Sequence, residues 1–228
     1  DRVFDWLREV DATFSTYRDD SVIARLNRGA LAAAQLPPDV REVLRRCEEL
    51  RQETDGYFDI HAAATDTIDP SGLVKGWAVD RAGTILDVAG VANYAIYAGG
   101  DILVRGGALP DDNWLIGIQH PVARHRVSAI LALRDRAVAT SGAYARGDHV
   151  LDPHTHMAPA GLLSVTITGP VLATADAYAT AIFAMGAQGL DWLRRLPAQG
   201  YDGAIVADDG IVHSTPGLDA LRRGVGAR

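Results

Sequence analysis

The chain has 228 residues, of which 48% are hydrophobic and 22% are charged, a balance typical of folded globular proteins rather than of disordered chains. Its formal net charge of -7 and its pI of about 5.4 argue against a nucleic-acid partner, because phosphate backbones are bound by a surplus of Lys and Arg. Cys47 is the only cysteine, which excludes an intramolecular disulfide and a Cys-x-x-Cys metal site. We expect a packed or partly exposed thiol there rather than a catalytic one.

The sequence has no stretch that approaches the ~20 consecutive apolar residues of a membrane-spanning helix. Neither a signal peptide nor a lipid-attachment cysteine opens the chain. We therefore expect a protein without a membrane span and favour a cytoplasmic location. The chain begins at Asp1 without a methionine, which leaves room for a leader that has been removed.

The first part of the chain has the periodicity of helices. Val3, Phe4, Leu7 and Val10 share one face of an opening helix, and Ser21 is a typical N-cap residue. The further predicted helices are Val22–Asn27, a long helix that starts at Pro37-Pro38-Asp39 and ends near Thr54, and Lys75–Ala89 with Gly90 as its C-cap.

The second part of the chain is dominated by short strands between Gly, Pro and Asp turns. The predicted strands are Tyr94–Ala98, Ile102–Arg105, Trp114–Gln119, Ser128–Leu133, Ala137–Thr140, Leu163–Thr168, Tyr201–Ala207 and Ile211–Ser214. One helix, Ala173–Met185, interrupts them and is continued over Gly189–Leu196. Helices followed by mostly adjacent strands indicate an α+β fold with an antiparallel or mixed sheet.

The segment Asp69–Gly76 is a candidate anion site. It places Lys75 next to Gly76 in a glycine-containing loop that opens a predicted helix. Backbone N–H groups at a helix start and a lysine cation both attract anions, although the spacing of a Walker loop is missing. The alternative interpretation is a capped helix with a solvated lysine.

A polar segment around His149 is a candidate catalytic loop. Asp148 and Asp152 flank His149 in the sequence, so its pKa could be tuned for a general base. His149, His154 and His156 could also be interpreted as a zinc cluster. A structural zinc site needs four ligands, however, and no further Cys or His motif completes the set. An ordinary polar hairpin loop is the other interpretation.

Asp176 and Thr180 form a candidate metal pair. They are four residues apart in a predicted helix, so both oxygens lie on one face. A carboxylate and a hydroxyl suit a hard cation such as Mg²⁺, whose remaining ligands would be carbonyls, water or phosphate. The alternative is a threonine that bonds to its own i−4 carbonyl and an aspartate at the helix start.

Aromatic residues cluster near two turns, in Phe14-Ser15-Thr16-Tyr17 and in Asp55-Gly56-Tyr57-Phe58-Asp59. Such rings can stack on a flat heterocycle such as isoalloxazine or adenine. Ordinary core packing is the competing interpretation for each ring taken alone.

The order and spacing of these segments together resemble the ApbE-type FAD:protein FMN transferases over nearly the whole chain. The matching runs are Phe14–Tyr17, Asp20–Asn27, Thr54–Ile60, Asp69–Asp80, Gly99–Asp101, Ala139–Gly142, His149–Thr155, Ser164–Thr166 and Ala175–Ala181. Each run is short, but so many in collinear order are hard to obtain by chance.

The resemblance implies one domain over residues 1–228, with a T-fold-related α+β fold, a mixed and largely antiparallel sheet, flanking helices and FAD in a cleft. It implies an enzyme that transfers FMN from FAD to a Thr or Ser hydroxyl of an acceptor flavoprotein, with Mg²⁺ as cofactor and AMP as product. This reaction is flavinylation, a post-translational modification. With water as the acceptor the same site would be an FAD pyrophosphatase, and without chemistry it would be an FAD-binding protein.

The resemblance also implies roles for individual residues. Asp176 and Thr180 would bind the metal through their side chains and Gly72 through its carbonyl. His149 would lie at the pyrophosphate or deprotonate the acceptor, while Lys75 and Mg²⁺ would neutralise charge on the phosphates. The residues expected to line the FAD site are Tyr17, Tyr57, Phe58, Asp59, Asp69, Lys75 and Leu163.

Three features depart from the family pattern. His156 replaces the glycine of the usual Asp-Pro-x-Thr-Gly run, which predicts a different turn and a different approach to the phosphate. The stretch Ile60–Ile68 is shortened, which predicts an opened or reshaped flavin pocket. The N-terminal strand that the family places before its first helix is missing from this sequence.

Overall fold

The computed structural model describes residues 1–61, 67–109, 112–142 and 150–224. The helices are α1 (Arg2–Phe14), α2 (Val22–Asn27), α3 (Pro38–Glu53), α4 (Ser71–Val88), α5 (Leu172–Ala184), α6 (Gly189–Leu193) and α7 (Pro216–Leu221). The strands are β1 (Tyr94–Ala98), β2 (Asp101–Arg105), β3 (Trp114–Gln119), β4 (Val127–Leu133), β5 (Arg136–Gly142), β6 (Leu162–Gly169), β7 (Asp202–Ala207), β8 (Val212–Ser214) and β9 (Arg222–Arg223). No helix in these ranges combines the length and apolar character that crossing a membrane requires.

The strands form two sheets. The larger sheet has the order β1-β2-β5-β6-β7-β8, and the smaller one has the order β3-β4-β9. All pairings between these strands are antiparallel, which confirms the predicted α+β fold. The separation of β3 and β4 into a second sheet was not predicted, because local patterns do not reveal which strands pair.

Helices cover one face of the larger sheet in successive layers. Helix α5 packs on β5 and β6, α4 packs on α5, and α1 packs on α4. Helix α5 is buried on nearly all sides, and its many alanines allow this because they let neighbouring backbones approach. At the closest approach, a Cβ added to Gly76 would lie 2.6 Å from Cα of Ala173.

Asp80 fixes the position of α5 along the axis of α4. Its carboxylate accepts hydrogen bonds from the N–H groups of Leu172 at 3.0 Å and Ala173 at 2.9 Å. These are donors in the first turn of α5 that have no partner within the helix. The N-terminus of α5 is therefore capped by a side chain of α4.

The smaller sheet covers the other face of the larger one, so β6 is buried on both faces. The predicted strand Leu163–Thr168 alternates apolar and polar residues, and its polar residues Ser164, Thr166 and Thr168 are all at most 5% exposed. The two threonine hydroxyls are satisfied locally: Thr166 Oγ1 lies 3.0 Å from the Oγ1 of Thr140, and Thr168 donates to the carbonyl of Ala137. The polar pattern thus reflects buried hydrogen bonding rather than exposure to solvent.

Two predicted details of the helices are wrong. Phe4 is 66% exposed, and α1 instead packs through Trp6, whose ring lies 5.2 Å from that of Trp77. Helix α4 begins at Ser71, four residues before the predicted start at Lys75. By contrast, Ser21 is confirmed as an N-cap, since its Oγ accepts the N–H of Ala24.

The close contact between α4 and α5 predicts an effect on stability. We expect Gly76→Ala to lower the free energy of unfolding by about 1–3 kcal/mol, because its methyl group meets the backbone of α5. Chemical denaturation would measure this. The control is Thr84→Ala on the exposed face of α4, which should change stability by at most about 0.5 kcal/mol. Equal effects for the two variants would contradict the prediction.

Cys47 is confirmed as a packed thiol and should be inert in the native protein. It is 2% exposed, and burial raises its pKa to about 12. An ordinary thiol of pKa about 8.5 is partly ionised at pH 8. Labelling of native Cys47 at pH 8 should therefore be about a thousandfold slower than labelling of the urea-unfolded chain, as followed with a thiol-reactive chromophore. Similar rates in the two states would show that the thiol is accessible.

Candidate functional site

A cavity of about 530 Å³ opens between α1, the first turn of α4, the end of β5 and helix α5. Its outer walls are mainly apolar, and its inner end carries charged and hydroxyl side chains. The apolar walls are formed by Leu7, Val10, Phe14, Tyr57, Phe58 and Val150; the inner end is formed by Lys75, Thr140, Ser141, Asp176 and Thr180. The sequence motifs that lie far apart in the chain therefore meet around one space.

Lys75 stands between two buried carboxylates at the inner end. Its Nζ lies 2.6 Å from Oδ2 of Asp101 and 3.5 Å from Oδ1 of Asp176. Burial alone would lower the pKa of Lys75, but the negative charges of Asp176 and Asp101 outweigh that cost and leave the pKa raised. Lys75 is consequently a permanent cation at neutral pH and does not act as a base.

Asp101 belongs to this site, although the sequence gave it no individual role. It is 1% exposed and follows the tight β1–β2 turn, in which Gly99 and Gly100 have φ values of 59° and 106°. Its Oδ1 accepts the N–H of Thr140 at 3.2 Å. The run Gly99-Gly100-Asp101 was a visible signal, but its pairing with Lys75 depends on contacts across the fold.

The predicted metal residues do come together. Asp176 and Thr180 lie one turn apart on α5 and both line the cavity. Ser141 Oγ lies 3.4 Å from Thr180 Oγ1. Gly72 also lines the cavity as the second residue of α4, and its carbonyl points toward the next turn of that helix.

This donor set fits a hard divalent cation, because all its atoms are carboxylate, hydroxyl or carbonyl oxygens. In the described part of the chain, no group of three His, Cys, Asp or Glu side chains could hold an ion alone. A cation here would therefore complete its coordination with waters or with the oxygens of a bound ligand.

The predicted anion-binding loop before Lys75 is wrong as a loop. Ser71–Lys75 is the first part of α4, and three of the N–H groups at its start already have partners. Asp69 Oδ1 accepts the N–H of Ser71, and the carbonyl of Pro70 accepts those of Leu73 and Val74. Attraction for an anion in this segment therefore comes from the side chain of Lys75.

The predicted aromatic residues line the cavity in different ways. Tyr17 is 97% exposed at the mouth, whereas Phe58 is 4% exposed and belongs to the core as well. The ring of Tyr57 packs edge-on against His154 at 4.6 Å. Asp59 also lines the cavity, and its Oδ1 accepts the N–H of His61.

Of the two remaining predicted residues, Asp69 lines the cavity and Leu163 does not. Leu163 is half-buried in β6, where the pairing with β7 shifts register between Leu162 and Ser164. The neighbour of Asp69, Ile68, is held by Asn27, whose amide bonds to both the N–H and the carbonyl of Ile68, a contact that the sequence did not predict.

The predicted base His149 lies outside the described residues, and the turn that follows it is well defined. Asp152 organises this turn: its carboxylate accepts bonds from the N–H of His154 and the hydroxyl of Thr155. His156 has a φ of 57°, the left-handed conformation that glycine favours. His156 therefore adopts a backbone conformation that glycine also favours, and the predicted change in the approach to the phosphate stays a prediction.

Comparison with known proteins gives a consistent result. The model of the ApbE family matches residues 1–68 and 64–201. An FAD:protein FMN transferase of Haemophilus influenzae is 24% identical, and the alignment covers 79% of this chain and 70% of that protein. A protein of the same name from Rhodobacter capsulatus is 27% identical, with 94% of this chain and 39% of the longer relative covered.

Solved structures show the same fold. The ApbE protein of Thermotoga maritima superposes with a TM-score of 0.90 at 24% identity, covering 98% of this chain and 90% of the other. The flavin transferase ApbE of Vibrio cholerae has a TM-score of 0.82 at 23% identity, covering 96% and 89% of the two chains. The arrangement of helices and sheets is thus shared at low sequence identity.

The left-handed conformation of His156 predicts that two substitutions at this position differ in their effect on stability. His156→Val should lower the free energy of unfolding by about 1–2 kcal/mol, because a β-branched residue tolerates positive φ poorly. The control His156→Asn should be close to neutral, since asparagine adopts this conformation readily. Denaturant titration measures both variants, and equal stability of the Val and Asn variants would contradict the prediction.

Proposed function

This chain belongs to the ApbE family, and on that premise we propose that it is an FAD:protein FMN transferase. It would move FMN from FAD onto a Thr or Ser hydroxyl of an acceptor flavoprotein and release AMP. The observation that carries the proposal is the cavity of about 530 Å³ with apolar, aromatic walls and an ionic inner end. FAD is an elongated ligand with flat rings and a charged pyrophosphate, so its rings match the aromatic walls and its pyrophosphate matches the ionic inner end.

The walls provide the recognition of the rings. Phe14, Tyr57 and Phe58 present aromatic surface to the cavity, and such surfaces favour stacking or edge contacts with a planar heterocycle. The exposed Tyr17 at the mouth is available to cover a bound ring. These contacts orient the ligand so that its phosphates reach the inner end.

The inner end provides the charges. Asp176 and Thr180 would hold Mg²⁺ through their side chains, and Mg²⁺ would neutralise charge on the pyrophosphate when bound. The carbonyl of Gly72, which the resemblance implies as a third ligand, points along helix α4. Lys75 adds a fixed positive charge beside Asp176 and Thr180, since its raised pKa keeps it protonated. Charge that develops on the phosphate oxygens is stabilised here without reorganisation of solvent.

The transfer requires one bond to form and one to break. The acceptor hydroxyl oxygen forms a bond to the phosphorus of the FMN half, and the bond from that phosphorus to the bridging oxygen breaks. AMP leaves with the bridging oxygen and its electron pair, and the hydroxyl proton passes to a base. We assign the base to His149, the histidine next to the Asp152 turn in the sequence.

The test is incubation of the chain with FAD, Mg²⁺ and a candidate acceptor, followed by in-gel flavin fluorescence and chromatography of AMP. Wild type should label the acceptor, and Asp176→Asn should lower kcat/KM at least about a hundredfold through loss of the metal ligand. The control is Asp191→Asn, a 77% exposed carboxylate on α6, which should retain full activity.

The products distinguish the competing functions. AMP release that is independent of any acceptor identifies an FAD pyrophosphatase, and FAD binding without AMP identifies a binding protein. Either result contradicts the transferase proposal. FAD binding by the Asp176→Asn variant, measured by calorimetry, separates loss of chemistry from loss of the fold.

A further inference from the structure

We propose that Asp101 is a positioning residue that holds the ammonium of Lys75 away from Asp176, so that the Asp176 carboxylate stays available to a divalent cation. This inference rests on the proposed function for the presence of a metal at Asp176. It adds a residue to the site that acts through Lys75 and not by contact with the substrate.

The distances give the direction of the preference. Lys75 Nζ is 2.6 Å from Asp101 but 3.5 Å from Asp176. The shorter distance is that of a charge-assisted hydrogen bond, whereas the longer one is at the outer limit of hydrogen bonding. The contact of Lys75 with Asp101 is therefore stronger than its contact with Asp176.

Asp101 is held rigidly enough to do this. Its side chain is 1% exposed, its Oδ1 is bonded to the N–H of Thr140, and it follows two glycines in the left-handed region. Lys75 has a flexible side chain of four methylene groups, which changes its conformation more easily than the side chain of Asp101. The lysine thus adjusts to the fixed carboxylate of Asp101.

Asp101 prevents Lys75 and a divalent cation from competing for the carboxylate of Asp176. An ammonium and a divalent cation attract the same carboxylate, and the attraction is strong in a poorly solvated site. If Asp101 loses its charge, Asp176 becomes the only carboxylate that the described contacts provide for Lys75. Lys75 would then shift toward Asp176 and oppose the metal there.

An amide at position 101 isolates this effect. Asp101→Asn keeps an oxygen for the N–H of Thr140 and replaces the charged oxygen that faces Lys75 by an uncharged NH2 group, which does not accept a hydrogen bond from the ammonium. We expect it to weaken the binding of Mn²⁺ about tenfold, the size typical for residues that support metal ligands. The double variant Asp101→Asn with Lys75→Met removes the competing ammonium as well, and it should restore Mn²⁺ affinity to within about threefold of wild type.

The measurement is a titration of the full chain with Mn²⁺ alone, in which free Mn²⁺ is followed by electron paramagnetic resonance. Asp202→Asn is the matched control: its carboxylate is 16% exposed and pairs with Arg136 on the larger sheet, so Mn²⁺ binding should be unchanged. Thermal unfolding of each variant shows that the fold is retained.

Three results would overturn the proposal. Wild-type affinity in Asp101→Asn would show that Asp101 does not protect Asp176. A double variant as weak as Asp101→Asn would make Asp101 a direct ligand. Wild type that binds no Mn²⁺ would remove the cation site itself. If the variants bind Mn²⁺ as expected but the protein transfers no FMN, the proposed function is rejected and the role of Asp101 remains supported.

Discussion

The placement of a half-buried lysine between two buried carboxylates constrains much of this fold. Lys75 comes from α4, Asp101 from the β1–β2 turn and Asp176 from α5. Burial of an ion costs several kcal/mol unless a partner of opposite charge offsets it, and loss of one partner leaves that cost uncompensated. The helices and the sheet must therefore meet in one arrangement, in which all three charges are close together.

The contact between α4 and α5 provides that arrangement. Gly76 allows the two backbones to approach, and Asp80 binds the first N–H groups of α5. Burial raises the pKa of Asp80, although its bonds to the backbone of α5 counteract the rise. Helix α4 thus carries Lys75 and the cap, and α5 carries Asp176 and Thr180, the predicted metal ligands. Both contacts fix the separation of the two helices.

Local patterns predicted the parts of the site that lie within one element. Asp176 and Thr180 could be paired from the sequence because four residues make one helical turn. Helix α4 was predicted too short at its start, where Gly72 lowers helix propensity. Inside the helix, packing against α5 requires glycine at 76. Tertiary contact overrides propensity at that point.

The parts that the sequence could not predict depend on contacts between distant segments. Nothing local to Asp101 shows that it bonds to Lys75, and the alternation in β6 cannot show that a second sheet covers its polar face. The left-handed φ of His156 was also unpredicted, since it follows from the bonds that Asp152 makes around the turn. Pairing across the fold, rather than residue type, decides these features.

Packed helices and a sheet turn form one end of the cavity, and surface turns form the other. This difference affects which parts of the cavity can accept substitutions. The ionic end is carried by α4, α5 and a sheet turn that are locked to one another. The aromatic end is carried by the turns at 15–17, 57–60 and 150–154. Substitutions in those turns can accumulate and alter the shape presented to a ligand, while the charged centre keeps its geometry. Recognition can therefore diverge among descendants of one chain faster than the chemistry does.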